Sequence, residues 1–500
     1  MSFDRLLAEA KARPGDLHAL EQLASLAIER GEEEAALPQF NAAVQMRSSA
    51  RLWQWKALLE RSLDRHEEAL RSFETAAALA PSDPGIAHGH ARAALEAGIP
   101  AEQLHEHALQ LAPKDVQVLA GLIAARLASG HGDQGEKELQ GILERYPGWI
   151  DGHMQLAQLR SLLGKSEIVA EPLENALAAA PTSEALWIAL FNLHIKRERF
   201  ADLDAAIARA RNHGIGDRLL IPFATLTAGE LGRTEEADRL FAQWSDGTDR
   251  VWRIRHLLRC GRAEDAIPLI DVALSGERAN DVWPYAALAW RLTGDTRSSW
   301  LERDGELIRV YDLVSALPPL EALAATLRTV HVAQGQFLDQ SVRGGTQTDG
   351  PLFSRIEPEI RALRSAVVDS VRDYVSALPP FASGHPLLGA RRDRAIRFAG
   401  SWSVRLRDAG FHTSHVHPQG WISSALYVAV PQNAGGEDSR DGWLSIGKPP
   451  PELVASSFDA REIEPVPGRL VLFPSWMWHG TAPFKRGERL TVAFDVARPY

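Results

Sequence analysis

Residues 410–431 read GFHTSHVHPQGWISSALYVAVP, and residues 468–496 read GRLVLFPSWMWHGTAPFKRGERLTVAFDV. Both are dominated by strand-forming residues punctuated by Gly and Pro, and both carry histidine beside an apolar run. Side chains alternate along an extended strand, so His415 and His417 project to one face and can grip one ion. Pro418 and Gly420 then turn the chain, and a third histidine, His479, follows the apolar run 468–473. No cysteine lies nearby, and three imidazoles suit Fe, Zn, Cu or Ni alike. Further on, Arg489 and Thr491 stand two apart on a last long strand and share a face. A guanidinium fork beside a hydroxyl suits a carboxylate. A metal next to such a clamp points to an acid cosubstrate held by both.

Working outward, AIRFAGSWSVRLR (395–407) and RLTVAFDVA (489–497) add further strands, and short strands with this punctuation imply a sandwich or barrel. Arg405, on the strand entering the site, is a second candidate contact for the cosubstrate. His412 is out of step with the His415 face and reads as an outer or surface residue, while Trp421, Trp476 and Trp478 read as packing or pocket wall. Upstream, Ile360, Leu363, Val367, Val371, Tyr374 and Leu378 recur at three- and four-residue steps, which predicts an amphipathic helix over 358–378 stopped by Pro379 and Pro380. FLDQSVRGGTQTDGPLF (337–353) is a loop or irregular edge. Its Gln340, Arg343, Thr346, Gln347 and Thr348 form a dense hydrogen-bonding set around Gly344 and Gly345, suited to meeting a substrate. ELIRVYDLVSAL (306–317) and LEALAATLRTVH (320–331) read as helices that cover the end of what precedes them.

What precedes them is periodic. Prolines fall at 14, 81, 113, 147 and 181, Arg47 fills the missing slot, and breaks recur near Gly214–Asp217, Ser245–Asp249 and Gly276–Asp281. A period near 34 residues calls for a solenoid of helix pairs, about eight of them. Within 50–81, Trp53, Ala57, Ala69, Phe73, Ala76 and Pro81 occupy the small, aromatic and proline positions of a tetratricopeptide repeat, which this segment resembles. Ala157, Leu173, Ala176 and Pro181 repeat the pattern over 150–181, and Trp187 follows in the next unit. Alanines let paired helices approach, aromatics fill the space between units, and proline stops the second helix. The concave surface of such an array holds an extended or helical peptide.

The 500 residues exceed one hydrophobic core. A formal charge of -10 without long single-sign runs argues against binding nucleic acid or an anionic membrane. The single cysteine, Cys260, allows no internal disulfide, MSFDRLLAEAKARPGD lacks the apolar core of a signal peptide, and no window holds eighteen uncharged apolar residues. A cytoplasmic protein with no membrane and no nucleic-acid partner is expected.

The motifs HVHPQGWISSALYV (415–428), FPSWMWHGT (473–481) and ERLTVAF (488–494), and more loosely RGGTQT (343–348), resemble the bacterial Fe(II)/2-oxoglutarate-dependent dioxygenases in which tetratricopeptide repeats precede the catalytic domain. The resemblance implies a multidomain α + β chain. Its parts are an α-solenoid over 1–298, capping helices and a linker over 299–345, and a double-stranded β-helix (jelly roll) with flanking helices over 346–500. It further implies that His415 and His479 bind Fe(II), that Arg489 with Thr491 binds the distal carboxylate of 2-oxoglutarate, and that a protein or peptide recruited by the repeats is hydroxylated. One position departs from the wider superfamily: His417 stands where an Asp or Glu ligand is usual. A neutral third ligand leaves the Fe(II) and dianionic 2-oxoglutarate complex neutral rather than singly negative. Two other readings stand beside this one: a repeat scaffold with an inactive barrel, and a three-histidine, cupin-like dioxygenase that does not use 2-oxoglutarate.

Overall fold

The computed structural model describes residues 2–244, 250–338, 340–431, 440–454 and 459–499. The expected break at Ser245–Asp249 lies outside the described residues. Among the described residues, a first helix, Phe3–Ala12, is followed by nine helix pairs, from Leu17–Arg30 with Glu33–Met46 to Ala279–Thr293 with Arg297–Glu302. The pair beyond the expected eight is the last, whose six-residue second helix lies past the final break read from the sequence.

Two chemical devices at opposite edges set this period. At five of the turns between pairs, the residue two beyond the proline slot caps the next helix with its side chain. Asp16, Ser49, Asp83, Asp115 and Ser183 each accept hydrogen bonds from backbone N–H groups of the first turn, contacts that contribute about 1 kcal/mol each. At the turns within pairs, the chain passes through left-handed backbone at Gly31, Asp64, Gly98, Gly130, Gly164, Glu198, Gly232, Gly261 and Gly294. Glycine adopts this conformation without strain, whereas Asp64 and Glu198 do not. Those two side chains face arginines of the C-terminal region, Arg364 at 3.5 Å and Arg343 at 2.9 Å.

The within-pair turns are where the solenoid meets the C-terminal region. Arg394 binds Gly31 O and Glu32, Arg397 pairs with Glu33 and Glu34, and Arg361 pairs with Glu67. Ile356 donates its N–H to Ala97 O, and Gln334 and Gly335 donate to Leu162 O. The repeat alanines and aromatics pack as expected, with Ala57, Ala69, Phe73, Ala76 and Trp187 buried.

The C-terminal region is a curled antiparallel sheet of nine strands, the double-stranded β-helix with flanking helices. These are β1 (Arg309–Asp312), β2 (Val342–Gln347), β3 (Phe398–His415), β4 (Ile422–Ala429), β5 (Leu444–Ile446), β6 (Arg461–Ile463), β7 (Arg469–Pro474), β8 (His479–Thr481) and β9 (Glu488–Val496). The order is β1-β7-β4-β9-β3-β8-β5-β6, with β2 on β3. The long β3 is the hinge of the curl, pairing with β9 over 398–407 and with β8 at its far end.

Three expectations need correction here. ELIRVYDLVSAL is not helical, because Val310 and Tyr311 extend to pair with Val471 and Leu470 of β7, and tertiary pairing overrides local pattern. The sheet therefore begins at Arg309, within the stretch read as cap and linker. The stretch 337–353 is indeed an edge, but an ordered one: β2 crosses the 345/346 boundary and pairs with β3 around an irregularity at Arg343/Gly345. Gly344, at a φ of 72°, supplies the left-handed residue that this irregularity needs. The helices 320–330 and 358–376 form as read. One apolar core nevertheless runs unbroken from Ile254 through the last repeats into the barrel, so the barrel itself covers the solenoid end.

His385 fastens this junction. Its Nε2 donates to Leu301 O at 3.0 Å, and its Nδ1 accepts from the N–H groups of Leu387 and Leu388. Burial holds the imidazole down to about 4. In the unfolded chain it takes a proton near 6.5, so its contribution is complete above that pH and is lost as pH falls toward 4. Between pH 7 and 5 the urea-unfolding free energy of His385→Gln is expected to fall by about 2 kcal/mol less than that of the wild type. Equal losses in the two proteins would contradict this assignment.

No helix among the described residues is long and apolar enough to cross a membrane.

Candidate metal centre

His415 ends β3 and His479 opens β8, and the two are direct register partners. His417 lies two residues past the start of this pairing, held by its own N–H to Ser475 O at 2.9 Å before the turn at Gly420. One ligand nitrogen from each of His415, His417 and His479 lies within 4.8 Å of the others. The ring centroids are 4.2 to 5.0 Å apart.

Hydrogen bonds decide which nitrogen each ring presents. His415 Nδ1 donates to Thr413 O at 2.8 Å, His479 Nδ1 donates to Met477 O at 3.0 Å, and His417 Nδ1 lies 2.6 Å from Asp495 Oδ2. Every Nδ1 is thus engaged, which leaves Nε2 as the nitrogen each ring can offer to a metal. Burial, with the neighbouring His417 second, pushes His415 down to about 3, and burial with His415 beside it holds His479 well below the usual imidazole range. Neutral imidazoles are the form that binds metal.

The same pocket continues along β9. Arg489 and Thr491, together with Ala493, face it beside Leu406, Val404 and Trp402 of β3. Arg489 is 2% exposed, its Nε has no partner, and its guanidinium carbon lies 5.1 Å from the centre of the Tyr427 ring. Tyr427, the register partner of Thr491, is fully buried with an unpartnered hydroxyl. Burial lowers Arg489 and raises Tyr427 from their ordinary values. A buried guanidinium with spare donors is expensive unless an anion reaches it. The unpartnered Arg489 Nε, beside the Tyr427 hydroxyl, fits a carboxylate, and the three imidazoles fit Fe(II), so the residues present fit both an iron ion and 2-oxoglutarate.

Other expected residues fall elsewhere. Arg405 alternates away from Val404 and Leu406, and on the opposite face it pairs with Glu488 at 2.5 Å, as does Arg328 at 2.6 Å. Arg405, expected as a second contact for the cosubstrate, is turned from the pocket by its place in the strand. Of the set expected to meet a substrate, Arg343, Thr346 and Thr348 spend hydrogen bonds within the fold. Arg343 binds Glu198 of the solenoid and its own loop carbonyls, Thr346 Oγ1 meets His331 Nδ1, and Thr348 bonds both backbone groups of Ser403. Gln347 is buried with an unpartnered Oε1, on the face of Val404, but it does not line the pocket.

His412 does line the pocket. A register shift between His412 and His415 restores it to the site's face, and Ser341 Oγ lies 3.1 Å from its Nδ1 and 3.2 Å from His415 Nε2. Trp421 and Trp478 are packing residues whose indole N–H groups donate to Leu387 O and Pro284 O. Sequence reasoning missed Asp495, Tyr427 and Ser341. Only Asp495 left a signal, since it continues the alternation of Arg489, Thr491 and Ala493.

Residues 400–495 match the family model described as "Putative 2OG-Fe(II) oxygenase", and residues 101–159 match that of the tetratricopeptide repeat. The chain thus carries tetratricopeptide repeats ahead of a domain of that oxygenase family. No curated protein matches it. Among solved structures, a tetratricopeptide repeat protein from Parabacteroides merdae is 17% identical over 45% of this chain and 90% of its own, with a TM-score of 0.32. A prolyl-4-hydroxylase from Pseudomonas putida is 19% identical over 39% of this chain and 95% of its own, with a TM-score of 0.27.

Proposed function

We propose that this chain is an Fe(II)- and 2-oxoglutarate-dependent oxygenase that hydroxylates a protein or peptide recruited by its repeats. The observation that carries the reading is the shared pocket: three converging imidazoles and, along the same wall, a buried arginine with an unpartnered Nε. In this reading His415, His417 and His479 hold the iron through Nε2. Arg489, with Thr491 and the Tyr427 hydroxyl beside it, binds the distal carboxylate of the keto acid and so fixes its orientation. Iron and keto acid, when bound, would supply the chemistry by which dioxygen gives one oxygen atom to succinate, with loss of carbon dioxide, and the other to an unactivated carbon as a hydroxyl. Trp402, Val404 and Leu444 give the pocket apolar walls that limit water. A three-histidine dioxygenase without a keto acid would leave the buried Arg489 charge uncompensated.

The repeats supply the polypeptide side of the reading. Helices Pro84–Glu96 and Val116–Ala128 line a cavity closed by Thr329, Val330 and Val332 and by Asp349–Pro351 of the catalytic region, a space that suits a peptide side chain.

If the pocket is built for this pair, 2-oxoglutarate binds the metal-loaded chain far more tightly than the metal-free chain in anaerobic calorimetry. Equal affinity with and without metal would sink the reading.

A further inference from the structure

His417 is the position at which the chain carries an imidazole in place of the usual carboxylate ligand, and its surroundings differ from those of the other two histidines. His415 and His479 rest their Nδ1 groups on backbone carbonyls two residues away. His417 instead meets a side-chain carboxylate 78 residues away, Asp495 Oδ2, at 2.6 Å. That carboxylate is itself held: Ser423 Oγ lies 2.5 Å from Asp495 Oδ1 and 2.9 Å from Ser475 Oγ. Ser423 and Asp495 are register partners on β4 and β9, and all three groups are buried. The turn after His417 lies against this network so closely that a Cβ at Gly420 would come within 2.5 Å of Ser475 Oγ and 3.1 Å of Asp495 Cβ. Asp495 is not among the converging donors; it stands behind His417.

We infer that Asp495 is a positioning residue that makes His417 a metal ligand. Its oxygen accepts the Nδ1 proton, which fixes the tautomer with the Nε2 lone pair toward the other imidazoles, and the Ser423 and Ser475 hydroxyls keep the carboxylate from turning away. The carboxylate missing from direct coordination is thereby retained one residue farther out. β9 carries Arg489 and Asp495 on one face, so a single strand places both the acid clamp and the anchor of the third ligand.

The inference rests on the proposed metal site, and one set of titrations separates the two. Co(II) is titrated anaerobically into the full-length protein and followed by its visible absorption. Asp495→Asn is expected to weaken binding roughly ten- to hundredfold. In a His417→Ala background the same change is expected to add nothing, because its effect runs through that ring. Ser423→Ala, a milder change that frees the carboxylate, is expected to weaken binding in the same direction and serves if Asp495→Asn does not fold. Wild-type affinity in the folded variants, or an equal loss from Asp495→Asn with and without His417, would overturn the inference. Wild type that binds no Co(II) would overturn the metal site itself.

Discussion

His479→Ala is expected to abolish tight iron binding while leaving the fold in place. The side chain opens β8, is 7% exposed, and sits directly across from His415 in the ladder. Its removal deletes one of three donors, a greater loss than the roughly ten- to hundredfold that follows removal of an outer partner. The structural cost is smaller. Met477 O loses its donor and the Phe473 ring, 4.8 Å away, loses its neighbour, together about 1–3 kcal/mol. Competition with an Fe(II) chelator, alongside a thermal melt, separates the two effects. His412→Ala is the contrast: although its ring is 5.8 Å from that of His415, it is outside the converging group and the variant keeps a stoichiometric metal. Tight iron binding by His479→Ala would remove this residue from the site.

Arg489→Ala is expected to spare the metal and destroy affinity for 2-oxoglutarate. The guanidinium is buried against Tyr427 with its Nε unpartnered, so an incoming carboxylate finds a desolvated, oriented partner. Truncating one side of a buried charge pair costs about 3–5 kcal/mol, roughly a hundredfold to several thousandfold in the dissociation constant. Arg489→Lys is expected to recover little, because a compact ammonium cannot reproduce the two-pronged contact. Calorimetry on metal-loaded variants measures this directly. An unchanged constant for 2-oxoglutarate would place its carboxylate elsewhere.

Much of this could be seen in the residues themselves, for reasons that differ between regions. The solenoid was legible because each unit repeats the same local devices, so Pro81, Pro113, Pro147 and Pro181 mark its phase without reference to the rest of the chain. The left-handed positions from Gly31 to Gly294 carry the same period on the other edge and extend it to the last pair. The grouping of His415, His417 and His479 was legible because alternation on short strands is a local rule, and the same rule applied to Arg405 places it opposite Val404. Other features depend on contacts between distant segments. Val310 and Tyr311 became strand only because β7 offers an edge. The register shift that returns His412 to the pocket is a property of β3 and β8 together. The link from His417 to Asp495 spans 78 residues, and the ion pairs from Arg343 to Glu198 and from Arg394 to Glu32 span more. No window of sequence displays such pairings, and they fix how the solenoid seats on the barrel.

The seating also bears on recruitment. Because the within-pair turns are engaged by Arg343, Arg361, Arg364, Arg394 and Arg397, the C-terminal region is fastened along one edge of the array rather than tethered by a linker. A polypeptide captured by the helices would be presented to a barrel already in place.

If three imidazoles and Arg489 together make this pocket a 2-oxoglutarate-consuming centre, succinate must be formed there, and it can be counted. Protein loaded anaerobically with Fe(II) and 2-oxoglutarate, then exposed to air with and without candidate polypeptides, is predicted to release succinate in the wild type. His479→Ala is predicted to release none, and Arg489→Ala far less at limiting 2-oxoglutarate. Absence of succinate from iron-loaded wild type under every condition, or its undiminished release by His479→Ala, would contradict the account.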